Sequence, residues 1–247
     1  QHAYVRRQRQ MCIRDSPNYF TLSNLCCGVI SIIFTLNNLI YLAAIFIFLG
    51  VFLDFFDGFF ARYLKVENEF GIQLDSMADL ITSGLAPTLI LFNLINANEK
   101  NLLIGIFEVP FSGISLISFS VVIFAAIRLA NFNIDKKQKN FFIGLPAPMS
   151  AIFIASLPLI KSSEFYSIYS STVSLCIIAV GLSILMVSKI KLFSMKLNFK
   201  ENISSQIDAT QLSMLIFSLL LILFFNLAAI PFIVVLYILL SIIKNIL

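Results

Sequence analysis

The chain alternates long apolar runs with short polar breaks. From Tyr19 onward this pattern predicts helices at 19–36, 39–62, 73–95, 112–132, 146–160, 168–187, 211–226 and 228–244. Most of these approach the roughly 20 residues that carry a helix across a bilayer. The fifth and seventh runs are short. The last two are parted only by Asn226 and the region of Pro231, and read either as a tight hairpin or as one long bent helix. The count is then eight spans or seven, each span of the carboxylate region read as unbroken. The polar stretch 188–210 is expected to carry an interfacial amphipathic helix, with Leu192, Met195 and Phe199 toward lipid.

The expected architecture is all-α, a polytopic transmembrane bundle forming one domain over 17–247. Residues 1–16 are polar and basic and lack apolar period. They read as a cytoplasmic arm or as sequence foreign to the fold, and receive no structural role. No apolar core follows their arginines before Pro17, which is unlike a signal peptide.

Composition supports a lipid solvent. Of 247 residues, 59% are hydrophobic and only 12% charged, about half the ~25% charged share of soluble domains. Trp is absent, so Tyr, Asn and Lys mark the membrane interfaces. Cys12, Cys26, Cys27 and Cys176 have neither zinc-site nor disulfide spacing and read as small apolar fillers. The single histidine, His2, lies in the arm, which argues against histidine catalysis or ligation. The net charge of +4 comes without a basic stripe interleaved with aromatics, so nucleic acid is not an expected partner.

The placement of charge sets the orientation. With eight spans and the arm left out, one side collects Arg62, Lys65, Lys136, Lys137, Lys139, Lys189, Lys191, Lys196, Lys200 and Lys244, and the other only Lys100 and Lys161. The positive side is expected to be the cytoplasm. Arg128 lies inside a span.

The chemistry concentrates in the segment Asp54 to Asp79, DFFDGFFARYLKVENEFGIQLDSMAD. Asp54 and Asp57 stand about 60° apart on one helix face. Asp75 and Asp79 share a face of the next helix, with Gly71 four residues before Asp75. A turn after Arg62 brings the two stripes together near the cytoplasmic boundary. A charged Asp within a span costs about 2.5–3.5 kcal/mol, and carboxylates gathered together repel one another. A divalent cation offsets both terms. An all-oxygen donor set favours Mg²⁺, Mn²⁺ or Ca²⁺ over zinc, and Mg²⁺ in particular pairs carboxylates with substrate phosphates. Gly58, Ala61 and Gly71 would leave room for a flat nucleotide, with Arg62 a fixed cation beside it. Buried carboxylates also suit a cation transporter, although such sites sit near the midplane of broken helices.

The pattern Asp54-x2-Asp57-Gly58-x2-Ala61-Arg62-x8-Gly71-x3-Asp75-x3-Asp79 resembles the full motif of the CDP-alcohol phosphatidyltransferases. The resemblance implies a membrane enzyme with a six-helix catalytic core, dimeric and resident in the bacterial inner membrane. Such enzymes move a phosphatidyl group from a CDP-linked donor to an alcohol and release CMP. It implies that Asp54, Asp57 and Asp75 hold two divalent ions, Mg²⁺ or Mn²⁺. Asp79 would be the general base and also touch metal, while Gly58, Ala61, Arg62 and Gly71 line the cytidine site. Direct in-line attack is expected, because no residue stands out as an activated nucleophile.

Three further features resemble the branch that takes CDP-diacylglycerol and L-serine. They are Pro17-Asn18-x2-Thr21-x2-Asn24-x3-Gly28, Arg128-Leu129-Ala130-Asn131-Phe132-Asn133 and Gly144-Leu145-Pro146-Ala147-Pro148. The branch that accepts glycerol phosphate has an arginine near the place of Asn24, and a basic residue is usual where Asn131 stands. Thr21 and Asn24 are expected to bind the nucleotide, or else only to hydrogen-bond within a helix pair. Arg128 grips the acceptor or the donor phosphates, or else anchors a helix end. Gly144-Leu145-Pro146 belongs to this branch pattern, or is simply a helix start. Glycerol 3-phosphate or inositol phosphate remains the alternative acceptor.

Overall fold

A computed structural model describes residues 2–64, 69–99, 102–104, 107–109, 111–134, 142–160, 169–192 and 209–246. The helices are α1 (His2–Leu36), α2 (Ile40–Leu64), α3 (Glu69–Asp79), α4 (Ala86–Asn96), α5 (Phe119–Ile134), α6 (Ala147–Leu159), α7 (Thr172–Val187), α8 (Ala209–Phe225) and α9 (Ala229–Ile246). Every expected apolar helix is present, and the all-α polytopic bundle holds.

Among the described residues, four stretches are long and apolar enough to cross a membrane: Asn18–Leu36, Ile40–Asp57, Phe70–Asn96 and Gly113–Ile134. Others are shorter, Ala147–Leu159 and Thr172–Val187 among them. At about 1.5 Å per residue, α6 falls well short of the ~30 Å hydrocarbon core. The bundle faces its solvent with large apolar side chains, including Ile33, Ile45, Phe52, Ile123, Ile177 and Phe224, all exposed, as a lipid-facing surface requires.

Several boundaries differ from expectation. The first helix begins at His2 rather than at 19, so the polar arm continues α1; its Arg and Gln are good helix formers without any apolar face. The third helix is not unbroken. A π-helical segment, Leu80–Leu85, joins α3 to α4, and the N–H of Ala86 bonds to the carbonyl of Ile81. Pro87 supplies the reason, since it has no N–H and its ring excludes the carbonyl four residues earlier. The helix widens just before it. The last two helices are likewise separate, with Asn226 in the left-handed region (φ 49°) opening a 3₁₀ turn, Asn226–Ala228. Leu192 does not lie in an amphipathic helix. It belongs to β4 (Lys191–Leu192), which pairs antiparallel with β3 (Phe142–Ile143), while Met195 and Phe199 lie outside the described residues. A second short ladder pairs β1 (Leu102–Ile104) with β2 (Phe107–Val109).

Alanine is the commonest residue of the core. Ala43, Ala44, Ala86, Ala125, Ala151 and Ala155 are fully buried beside Ile47, Ile90 and Ile154. Small residues let membrane helices approach closely, where van der Waals packing replaces the missing hydrophobic drive. Glycine does the same where α2 meets the π segment. A Cβ on Gly50 of α2 would lie 2.5 Å from Thr82 Cγ2 and 3.0 Å from Asn24 Oδ1. Helices α1 and α2 therefore close directly onto the π segment. Of the cysteines, Cys26, Cys27 and Cys176 are free, as expected of apolar fillers.

Candidate functional site

The carboxylates converge where the C-terminal half of α2 passes the last turns of α3. Asp54, Asp75 and Asp79 each offer an oxygen, and these oxygens lie within 4.8 Å of one another. Asp54 and Asp75 come within hydrogen-bonding reach. Asp79 is only 8% exposed. Negative groups packed so closely in a low dielectric repel strongly, and a cation among them relieves that repulsion. The donor set is entirely oxygen, which fits a hard divalent ion. Beside them the Oδ1 of Asn24, whose amide bonds to Asp79, is buried without a hydrogen-bond partner among the described residues.

The fourth aspartate stands slightly apart. Asp57 is 7% exposed and accepts a hydrogen bond from the Thr21 hydroxyl. Its charge is still felt by Asp54, Asp75 and Asp79. The helical offset between Asp54 and Asp57 accounts for this. About 60° of rotation turns Asp57 toward α1 while Asp54 faces α3.

Helix α1 supplies the fixed donors. Asn24 is fully buried and donates from Nδ2 to Asp79 Oδ1 at 3.3 Å. Its own carbonyl accepts from Thr82 Oγ1 at 2.9 Å. Thr21 and Asn24 were expected to touch nucleotide or to hydrogen-bond within a helix pair; each holds one of the carboxylates. Thr82, three residues beyond Asp79 in the π segment, has no part in the sequence motif. Its signal was only a polar residue inside an apolar run.

Helix α5 closes the other side. Arg128 lies within electrostatic range of the Asp79 carboxylate. Its Nε is buried and has no hydrogen-bond partner. Five residues on, Asn133 donates to Ser76 Oγ at 2.9 Å, which pins the end of α5 to α3 beside Asp75. The Gly144-Leu145-Pro146 turn lies further out. Gly144 takes φ +75°, and its N–H bonds to the Ile190 carbonyl at 2.9 Å. A side chain there would strike the Met186 carbonyl. That turn starts α6 and docks it on the end of α7, in keeping with the helix-start reading.

Gly71 sits on α3 four residues before Asp75, partly buried. Gly58, Ala61 and Arg62 fall in the last turns of α2, where side chains lie outside the described residues.

Comparison with known proteins agrees with this geometry. Residues 14–187 match the family model described as CDP-alcohol phosphatidyltransferase. The CDP-diacylglycerol–serine O-phosphatidyltransferase of Bacillus subtilis (strain 168) is 36% identical over 189 residues, covering 76% of this chain and 96% of that protein. The protein of the same name from Helicobacter pylori (strain 26695) is 33% identical over 179 residues, 71% of this chain and 70% of that one. The archaetidylserine synthase of Methanothermobacter thermautotrophicus is 29% identical over 178 residues, 71% of this chain and 68% of that protein.

Proposed function

The chain belongs to the CDP-alcohol phosphatidyltransferase family, and from that premise we propose that it transfers the phosphatidyl group of CDP-diacylglycerol to the hydroxyl of L-serine, releasing CMP. The observation that carries the reading is the meeting of Asp54, Asp75 and Asp79 within 4.8 Å, in a chain whose relatives bear serine-transferase names.

The roles follow from position. Asp54, Asp75 and Asp79 would hold the divalent metal, Mg²⁺ or Mn²⁺, with Asp57 completing a second ion's shell. When bound, such ions neutralise charge on the pyrophosphate oxygens. The serine hydroxyl attacks the phosphorus that bears the lipid, the bond from that phosphorus to CMP breaks, and Asp79 takes the hydroxyl proton. Asn24 donates to Asp79 Oδ1 and holds that carboxylate in place. Thr21 fixes Asp57. Arg128 offers its guanidinium to the serine carboxylate. Gly58, Ala61, Arg62 and Gly71 would border the cytidine.

The site would face the cytoplasm of a bacterial inner membrane. Asn133 meets Ser76, so the carboxylates lie level with the end of α5, just before Lys136, Lys137 and Lys139. After those lysines in the sequence, β3 pairs with β4, which carries Lys191. The site thus sits at the lysine-rich end of the bundle. One domain over 17–247, and assembly as a homodimer, complete the proposal; the latter rests on the family resemblance.

The test is CMP release from CDP-diacylglycerol by purified protein, with L-serine, glycerol 3-phosphate or inositol phosphate offered in turn. Metal-dependent release with serine alone is expected. Release with glycerol 3-phosphate and not serine would overturn the acceptor. No release with any alcohol would overturn the enzyme reading.

A further inference from the structure

A hydroxyl inside a helix has a partner within reach on its own backbone, the carbonyl one turn back. Thr35 donates to the Ser31 carbonyl at 2.9 Å, Thr88 to that of Gly84 at 2.8 Å and Ser183 to that of Ala179 at 2.7 Å. Thr82 does otherwise. Fully buried in the π segment, it donates across to α1, from Oγ1 to the Asn24 carbonyl at 2.9 Å. Within α1 that carbonyl already serves the N–H four residues on, that of Gly28. The bond from Thr82 is a second one, made with the oxygen's other lone pair. It constrains Asn24 without being needed to satisfy an orphaned group.

Each branch of the Thr82 side chain is matched by a glycine. A Cβ on Gly28 would strike the Thr82 hydroxyl and come within 2.9 Å of its Cα, and a Cβ on Gly50 would lie 2.5 Å from its Cγ2. The hydroxyl is thus seated on α1 and the methyl on α2. Asn24 in turn is held at two points by one stretch of chain. Its side chain donates to Asp79 Oδ1 at 3.3 Å, and its backbone accepts from Thr82, three residues further along. The loop closes through the π segment, which starts at the residue after Asp79. Irregular turns of this kind are frequent at functional sites. Here the turn begins between a carboxylate of the aspartate cluster and the hydroxyl that fixes that carboxylate's partner.

We propose that Thr82 is a positioning residue for Asp79, acting through Asn24: its hydroxyl fixes the α1 backbone so that the Asn24 amide holds the Asp79 carboxylate in the orientation that metal binding and proton transfer require. Its methyl has the separate task of packing on Gly50. One determinant of the site then lies beyond the last aspartate, outside the motif. This rests on Asp79 as metal ligand and base, as read above.

The experiment compares the full chain in detergent micelles with Thr82→Val, which keeps the branched shape and loses the hydroxyl, and with Thr82→Ser, which keeps the hydroxyl and loses the methyl. In Thr82→Val, Mn²⁺ affinity in a calorimetric titration and kcat for CMP release should each fall about tenfold, with the KM for CDP-diacylglycerol unchanged. Thr82→Ser should keep both Mn²⁺ affinity and kcat, and show its change as a lowered thermal midpoint alone. Thr82→Ala, which lacks the hydroxyl and overpacks nothing, serves if Thr82→Val does not fold, and should show the same loss of Mn²⁺ affinity. A hydroxyl-free variant with the Mn²⁺ affinity and kcat of the unsubstituted chain would overturn the proposal. So would equal impairment in Thr82→Ser and Thr82→Val, because the methyl would then carry the effect. An unsubstituted chain that binds Mn²⁺ but releases CMP only with another alcohol overturns the L-serine reading alone. The contrast in Mn²⁺ affinity between Thr82→Val and Thr82→Ser still decides the role of Thr82.

Discussion

Asn24 and Asp79 are joined by a side-chain hydrogen bond of 3.3 Å across 55 residues of sequence. The bond links the first helix to the carboxylate proposed as general base. Asn24 is itself held through its backbone, by Thr82. One α1 residue thus ties the reactive carboxylate to the π segment that follows it.

Loss of that amide should slow turnover more than it weakens donor binding. Asn24→Ala is expected to lower kcat about 10- to 100-fold, with a small change in the KM for CDP-diacylglycerol. Steady-state CMP release at saturating serine measures it. A rise confined to the donor KM would show instead that Asn24 acts on the nucleotide.

The metal assignment separates the aspartates. Asp54→Asn and Asp75→Asn should each lose at least about 100-fold in activity and also lose Mn²⁺ binding in a calorimetric titration. Thr21→Val leaves all four carboxylates in place and should cost about tenfold, with Mn²⁺ still bound. Normal Mn²⁺ affinity in Asp75→Asn would remove that residue from the ligand set.

Gly50 should tolerate nothing larger than hydrogen. Gly50→Ala would drive a methyl group into Thr82, 2.5 Å from its Cγ2. Overpacking of this kind costs about 1–3 kcal/mol. A lowered thermal midpoint is expected, together with reduced kcat, because Asn24 lies against the same point. Gly181 has open space around its would-be Cβ and should accept Ala with neither effect.

Orientation is checked by single cysteines placed at positions 65, 137, 161 and 191. Impermeant maleimide added to intact cells should label position 161 only. Labelling of position 191 from outside would place the proposed site on the wrong face of the membrane.

The aspartate site was legible in the sequence because helical spacing alone puts Asp54 opposite Asp75 and Asp79. The same spacing places Asp57 off that line, and the structure gives Asp57 to Thr21. Helix positions were legible from apolar runs. Their ends were not where polarity and helicity part company, as in α1, whose basic start carries no apolar pattern yet winds as helix. The π segment could have been read from Pro87, whose missing N–H breaks the ladder, but the apolar run around it masks the break.

The π segment has a consequence for how the molecule can vary. It divides the helix from Glu69 to Asn96 into two lengths with separate phase. The first half brings Asp75 and Asp79 together with Asp54, and the second half aims Ile90, Leu91 and Ile95 into the core. Wound as plain α-helix, one residue more or fewer would rotate one half against the other by about 100°. The wide turn at Leu80–Leu85 takes up that surplus. The aim of the carboxylates is thereby insulated from the packing of the core, like two gears on a shaft with a coupling between them.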